Sequence, residues 1–211
     1  MVRFITFEGG DGTGKSTQIR ALEDYLVQRG VPCVLTREPG GTALGKLIRK
    51  LLLEVDDHEI ASSTELFLYL ADRAQHVKEV ILPALEASQI VLCDRFTDST
   101  MAYQGYGRGI ELRLLRQLNA IADQGLRPDL TFLFDCPAHV GLARTARRQS
   151  ETGRRQEDRF EREKIEFHEK VRAGFLEMAR AEPQRFRIVD ATRPVEEITL
   201  ALKKIVDHEM L

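Results

Sequence analysis

RFITFEGGDGTGKSTQIRALEDYL, residues 3–26, carries the strongest signal in the chain: a strand pattern runs through a glycine-rich turn into a helix pattern. Phe4, Ile5 and Phe7 form the apolar strand, and Ile19, Leu22 and Leu26 recur at helical spacing after the turn. Between them, Gly9, Gly14, Lys15 and Ser16 fit G-x-x-x-x-G-K-[ST]. That pattern wraps a polyphosphate in backbone N–H groups at a helix N-terminus, where aligned peptide dipoles also favour negative charge. Gly9, Gly10, Gly12 and Gly14 are expected to let the backbone approach phosphates with no Cβ in the way. Lys15 can reach the β- and γ-phosphates, and the Ser16 hydroxyl is placed to ligate magnesium. The expected ATP site is thus Gly9, Gly10, Asp11, Gly12, Thr13, Gly14, Lys15, Ser16 and Thr17.

Composition narrows the surroundings of this loop. With 211 residues and 43% hydrophobic content, the chain is long enough to bury one full core, so residues 1–211 are expected to form a single α/β domain. A net charge of -2 provides no global attraction to nucleic acid or to anionic membranes, and neither is expected as a partner. The opening MVRFITFEG runs straight into the first strand, and no apolar run is long enough to span a bilayer. A cytoplasmic protein without a signal peptide is expected. Cys33, Cys93 and Cys136 are odd in number and sit in strand-like contexts, which suits reduced core thiols better than disulfides or a zinc site.

Beyond the first helix, VPCVLT (31–36) reads as a buried strand and REPGGT (37–42) as a loop, with Thr42 capping a helix that carries Leu44, Leu47, Ile48, Leu51 and Leu52. Ser62 or Ser63 begins a long helix with Leu66, Leu70, Val77, Ile81 and Leu85 as its apolar face, and Tyr69 and Arg73 at its middle. IVLCD (90–94) is an apolar strand ending in Asp94, the carboxylate expected beside the phosphate loop to orient magnesium; Arg95 follows at once. FTDSTMAYQGYGRG (96–109) reads as a ligand-facing segment more than as a core element. Leu112, Leu115, Leu118 and Ile121 restore a helix, LTFLFD (130–135) is a buried strand, and Pro137 begins another helix. The arginine-rich stretch from Arg144 around Gly153 is expected to form a lid, about residues 144–158, that closes cations over a transferred phosphoryl group. Phe160, Ile165, Phe167, Val171, Phe175 and Met178 belong to the next helix, FRIVD (186–190) to the last strand, and Val195 to Val206 to a closing helix. Strands alternate with helices throughout, which implies a parallel sheet covered on both faces.

A phosphate loop alone also serves switches and motors. No N-K-x-D base-reading motif follows, whereas a second set of ligand groups lies downstream of the strand ends: residues 37–42, Tyr69 with Arg73, Arg95, and residues 99–104. Two facing sites make a transfer enzyme. EGGDGTGKST, TREPGGT, ELFLYLADRAQH, VLCDRFTDSTMAYQG and RPDLTFLFDCP, in this order and spanning nearly the whole chain, resemble thymidylate kinase of the bacterial type. The resemblance implies a P-loop kinase fold with five parallel strands, a homodimer packed through helices, and magnesium-dependent transfer of the γ-phosphoryl group of ATP to dTMP. It also implies an acceptor site of Asp11 on the sugar 3′-hydroxyl, Arg95 on the phosphate, Tyr69 stacked on thymine and Arg73 on its edge, with Pro39, Thr100, Tyr103 and Gln104 closing around them. Tyr69 stands where the family usually has Phe. Metal contacts fall to Ser16 and Asp94, and catalysis to Lys15 and Arg95 with lid arginines, of which Arg154 and Arg155 are favoured over Arg147 and Arg148. A kinase for another nucleotide, or a non-catalytic ATP-dependent switch, are the alternatives.

Overall fold

The computed structural model describes residues 2–53, 60–152 and 159–210. Five strands, β1 (Phe4–Gly9), β2 (Cys33–Arg37), β3 (Ile90–Asp94), β4 (Leu130–Asp135) and β5 (Phe186–Asp190), pair in the order β2-β3-β1-β4-β5. Every pairing is parallel. The helices are α1 (Lys15–Gln28), α2 (Ala43–Leu53), α3 (Ser62–His76), α4 (Leu82–Glu86), α5 (Thr97–Thr100), α6 (Leu112–Ala122), α7 (Ala138–Thr152), α8 (Ile165–Ala181) and α9 (Val195–Met210). Successive side chains of a strand face opposite ways. Ile5 and Phe7 accordingly join Leu22, Leu26, Phe132, Leu202 and Val206 in one buried layer, while Phe4 packs with Val77, Ile81, Val91 and Phe96 in another. Among the described residues no helix is long and apolar enough to cross a membrane.

Register brings the strand ends level. Asp94 lies opposite both Phe7 and Arg37, and Gly9 opposite Phe134, so the loops after β1, β2 and β3 open on one edge. Ligands bind at that edge in open α/β sheets. Thr42 does cap α2, its Oγ1 accepting from the Gly45 N–H at 2.9 Å.

Several expectations need correction. The long helix is α3 and α4 joined by a π-helical stretch, Val77–Ile81. Pro83 explains this, because it lacks an N–H and its ring clashes with the carbonyl four residues back, which a wider turn relieves. Phe160 belongs not to α8 but to a separate 3₁₀ turn, Arg159–Arg162, whose ring packs with Tyr103 and Phe167. The segment 96–109 is largely helical and mostly buried: α5 runs into a π-helical stretch, Met101–Gly107, in which Met101 to Gly105 are buried. It is core as well as ligand-facing: α8 packs along it through Tyr103, Phe167, Val171 and Phe175, while Phe96, Ser99, Thr100, Tyr103 and Gln104 line a cavity. The strand expected at 31–36 is Cys33–Arg37, starting after Pro32. Of the expected lid, residues 144–152 continue α7, and residues 153–158, with Gly153, Arg154 and Arg155, lie outside the described residues.

Candidate active site

The turn after β1 is shaped by close contact with its neighbours. Gly12 has φ +70°, and a Cβ there would sit 2.0 Å from the Gly141 carbonyl oxygen in α7. At Gly9, a Cβ would sit 2.3 Å from the Phe134 carbonyl oxygen on β4. These two glycines are therefore required by the protein's own packing, whereas Gly10 and Gly14 have open space where a Cβ would go. Gly14, in the left-handed conformation, precedes the first turn of α1 and leaves its N–H groups directed at the cavity edge. The Lys15 ammonium donates to the Gly9 and Gly10 carbonyls at 3.0 and 2.7 Å and to Thr13 Oγ1 at 3.3 Å. Burial, and behind it the Arg95 cation, bring its pKa down to about 8.

Arg95 takes a positive φ of 69°, unusual for a side chain of its size. Glu8 holds the turn in place. This carboxylate, alone on an otherwise apolar or hydroxyl-bearing strand, accepts from the Phe96 N–H at 2.7 Å and from Ser99 Oγ at 2.6 Å. Its burial, and then the nearby Asp98 carboxylate, push its pKa up to about 7. Sequence reasoning passed over Glu8. A carboxylate inside FITFEG was the available signal, because a buried strand has no structural use for an unpaired charge.

From that turn Arg95 reaches back to the phosphate loop: Nη1 donates to the Gly9 carbonyl at 3.0 Å and Nη2 to Asp11 Oδ1 at 2.7 Å. Tyr103 donates its hydroxyl to Asp11 Oδ2 at 3.2 Å, and its ring lies 5.0 Å beneath the Arg95 guanidinium. Burial by itself pushes the Asp11 carboxyl up; Arg95 and then Lys15 more than reverse this, leaving it below the usual carboxylate range. Ser16 Oγ stands 3.5 Å from Asp94 Oδ2, while Asp94 Oδ1 is buried with no hydrogen-bond partner among the described residues.

The expected acceptor residues converge on the same place. A cavity of about 250 Å³ is lined by residues 11–17 on one side and by Pro39, Tyr69, Arg73, Arg95, Thr100, Tyr103 and Gln104 on the other. Arg148 and Phe160 also reach it. A neighbouring depression of about 300 Å³ opens between the phosphate loop and α7, lined by Gly12, Gly14, Arg144, Arg147 and Arg148. Behind the cavity wall, Gln104 Nε2 donates to the fully buried Glu65 at 2.8 Å, and Arg159 pairs with the same carboxylate. In the sequence Glu65 carries no assigned role and Glu38 reads only as part of the loop 37–42, since a carboxylate on a helix or in a loop is ordinarily solvated.

A glycine-rich loop running into a helix N-terminus, with a buried arginine bonded to that loop and both lining one cavity on a five-stranded parallel sheet, is the arrangement of a P-loop kinase. The model of the thymidylate kinase family matches residues 7–201. Thymidylate kinase of Desulfovibrio desulfuricans is 56% identical over 205 residues, covering 97% of this chain and 94% of the relative. That of Desulfosudis oleivorans is 49% identical, covering 97% and 98%. The crystal structure of thymidylate kinase from Ehrlichia chaffeensis superposes with a TM-score of 0.78 at 37% identity, over 97% of this chain and 98% of that one. The chain belongs to the thymidylate kinase family.

Proposed function

We propose that this enzyme transfers the γ-phosphoryl group of ATP to dTMP, giving dTDP and ADP. The observation that carries the reading is the shared cavity, in which Lys15 and Ser16 face Tyr69, Arg73, Arg95 and Gln104. ATP lies with its phosphates along residues 9–17 and extends toward the depression beside α7. The acceptor phosphate is held by Arg95, whose guanidinium is anchored through the Gly9 carbonyl, Ser99 Oγ and Asp11, which leaves Nε and the second Nη2 hydrogen for the ligand. Tyr69 supports the thymine ring, Arg73 and Gln104 meet its edge, and Asp11 with Tyr103 flanks the sugar.

The chemistry requires little of the protein beyond alignment and charge. A phosphate monoester has its second pKa at about 6, so the attacking oxygen is ionised near neutral pH without a strong general base. Lys15 and arginines of the segment 144–158 neutralise charge on the transferred group while Arg95 keeps the acceptor in line. Magnesium fits the donors present: the unpartnered buried oxygen of Asp94 and the Ser16 hydroxyl suit a cation that takes one or two protein ligands and completes its shell with phosphate and water. When bound, it neutralises charge on the β- and γ-phosphates.

The chain is read as one kinase domain acting as a homodimer in the cytoplasm. Leu44, Leu47 and Leu51 of α2 are 46–63% exposed at helical spacing, and Phe67 of the adjoining α3 is 60% exposed, which supports pairing through these helices. Three cysteines without a disulfide suit a reducing compartment. ADP release measured across dTMP, dUMP, dCMP and thymidine tests the reaction. The dTMP rate should lead; ATP binding without transfer to any of them points to a switch, and equal use of dCMP points to a broader pyrimidine kinase. Sedimentation velocity tests the dimer.

A further inference from the structure

Arg73 is only 1% exposed, and partners among the described residues use four of its five N–H donors. Nε donates to Glu38 Oε2 at 2.8 Å, Nη1 to Thr100 Oγ1 at 2.9 Å and Asn119 Oδ1 at 2.6 Å, and Nη2 to the Phe96 carbonyl at 3.0 Å. One Nη2 hydrogen is left among these partners, and Arg73 lines the cavity. The direction of that last donor depends on how firmly the guanidinium plane is held, and Glu38 provides its only carboxylate partner within bonding distance among the described residues.

Glu38 is held in turn. Its Oε1 lies 2.9 Å from His76 Nδ1, and His76 Nε2 lies 2.6 Å from Thr36 Oγ1 on β2. A carboxylate paired with an arginine only accepts, so Nδ1 carries the hydrogen, and in the neutral ring Nε2 accepts from the Thr36 hydroxyl. His76 is fully buried and lies outside the cavity lining. Its ring also seats the loop carrying Glu38 and Pro39, because a Cβ on Gly41 would come within 2.4 Å of His76 Cδ2. The neighbouring Asp72 accepts the Gly40 N–H at 3.0 Å and fixes the same loop from the other side.

We propose that His76 is a specificity-determining positioning residue: through Glu38 it fixes the plane of Arg73, so that the one free N–H meets a pyrimidine 4-carbonyl and opposes a 4-amino group. The inference rests on the reading of Arg73 as the base-edge donor. With Glu38 no longer fixed on the Nε side, the guanidinium keeps its Nη bonds to Thr100, Asn119 and the Phe96 carbonyl but can tilt about them, and no longer confronts an amino group with a fixed donor. Loss of His76 should therefore erode discrimination between bases while leaving turnover at saturating dTMP nearly intact.

Two polar replacements separate the two nitrogens. His76→Asn places an amide N–H where Nδ1 stood and keeps the link to Glu38; His76→Gln places it where Nε2 stood and keeps only the link to Thr36. The measurement is the ratio of kcat/KM for dTMP and dCMP on one preparation of each variant, in which any inactive fraction cancels. Wild type should favour dTMP by roughly 10⁴-fold, His76→Asn should keep most of that ratio, and His76→Gln should lose about 10-fold of it, the scale of one hydrogen bond to a charged group. Two variants with equal ratios, whether both intact or both reduced, overturn the role of His76. Wild type that fails to discriminate overturns the reading of Arg73 instead.

Discussion

Replacing Lys15 by Met separates what this side chain does for turnover from what it costs the fold. The residue is 7% exposed, and its pKa falls from 10.5 to about 8 through burial and then the Arg95 cation, despite three acceptors within 3.3 Å. Below pH 8 the folded and unfolded chains both hold the proton, and the shift weighs fully against folding. Between pH 8 and 10.5 the unfolded chain holds a proton that the folded chain has released, so stability rises with pH. At about 1.36 kcal/mol per pKa unit, the Lys15 contribution becomes more favourable by about 2 kcal/mol from pH 7 to pH 9.5. Met does not titrate. Urea unfolding of wild type and Lys15→Met at both pH values should show the stability difference moving by about 2 kcal/mol toward wild type, with all unaffected titrations cancelling. Turnover at pH 7 should fall about 10²-fold or more, the usual loss for one group that neutralises transition-state charge. A stability difference that stays flat refutes the destabilised ammonium, and a variant turning over within a few-fold of wild type refutes its place at the phosphates.

Arg148 reaches both the cavity and the depression beside α7, so Arg148→Ala should lower kcat by about 10²-fold with a smaller change in the KM for dTMP. Arg147 is paired with Glu151 and lines only the depression beside α7, so Arg147→Ala should raise the KM for ATP a few-fold in steady-state kinetics and leave kcat close to wild type. Tyr103 is buried between Asp11 and three phenylalanines, which leaves little room beside the sugar. Ribothymidine monophosphate should therefore be used at least about 10-fold less well than dTMP, a margin measured as a kcat/KM ratio and narrowed in Tyr103→Ala. Asp98 forms a two-pronged buried pair with Arg185, at 2.6 and 3.0 Å. Asp98→Asn should destabilise the fold by about 3 kcal/mol in urea unfolding, toward the low end for breaking such a pair because Glu182 still contacts Arg185; no measurable loss would show that the pair contributes nothing net.

The local signals were legible in the sequence because their causes are local. Five apolar strands, the glycine-rich turn at the head of α1 and the Thr42 cap each follow from residues within one or two turns of each other. Asp94 and Arg95 were legible too, since a polar pair at the end of a buried strand falls at the sheet edge where ligands bind. The partners of those residues were not. Gly9 and Gly12 looked like concessions to a phosphate, yet a Cβ on either would strike a carbonyl from β4 or α7, contacts set more than a hundred residues away. Residues 96–109 read as a ligand-facing segment, and only α8 packing on Tyr103 made them core as well. Glu8, Glu38, Glu65 and His76 carry no periodic pattern. Each became recognisable once the fold removed it from water and supplied a partner, because burial makes an unpaired charge costly and thereby fixes where its neighbours must stand.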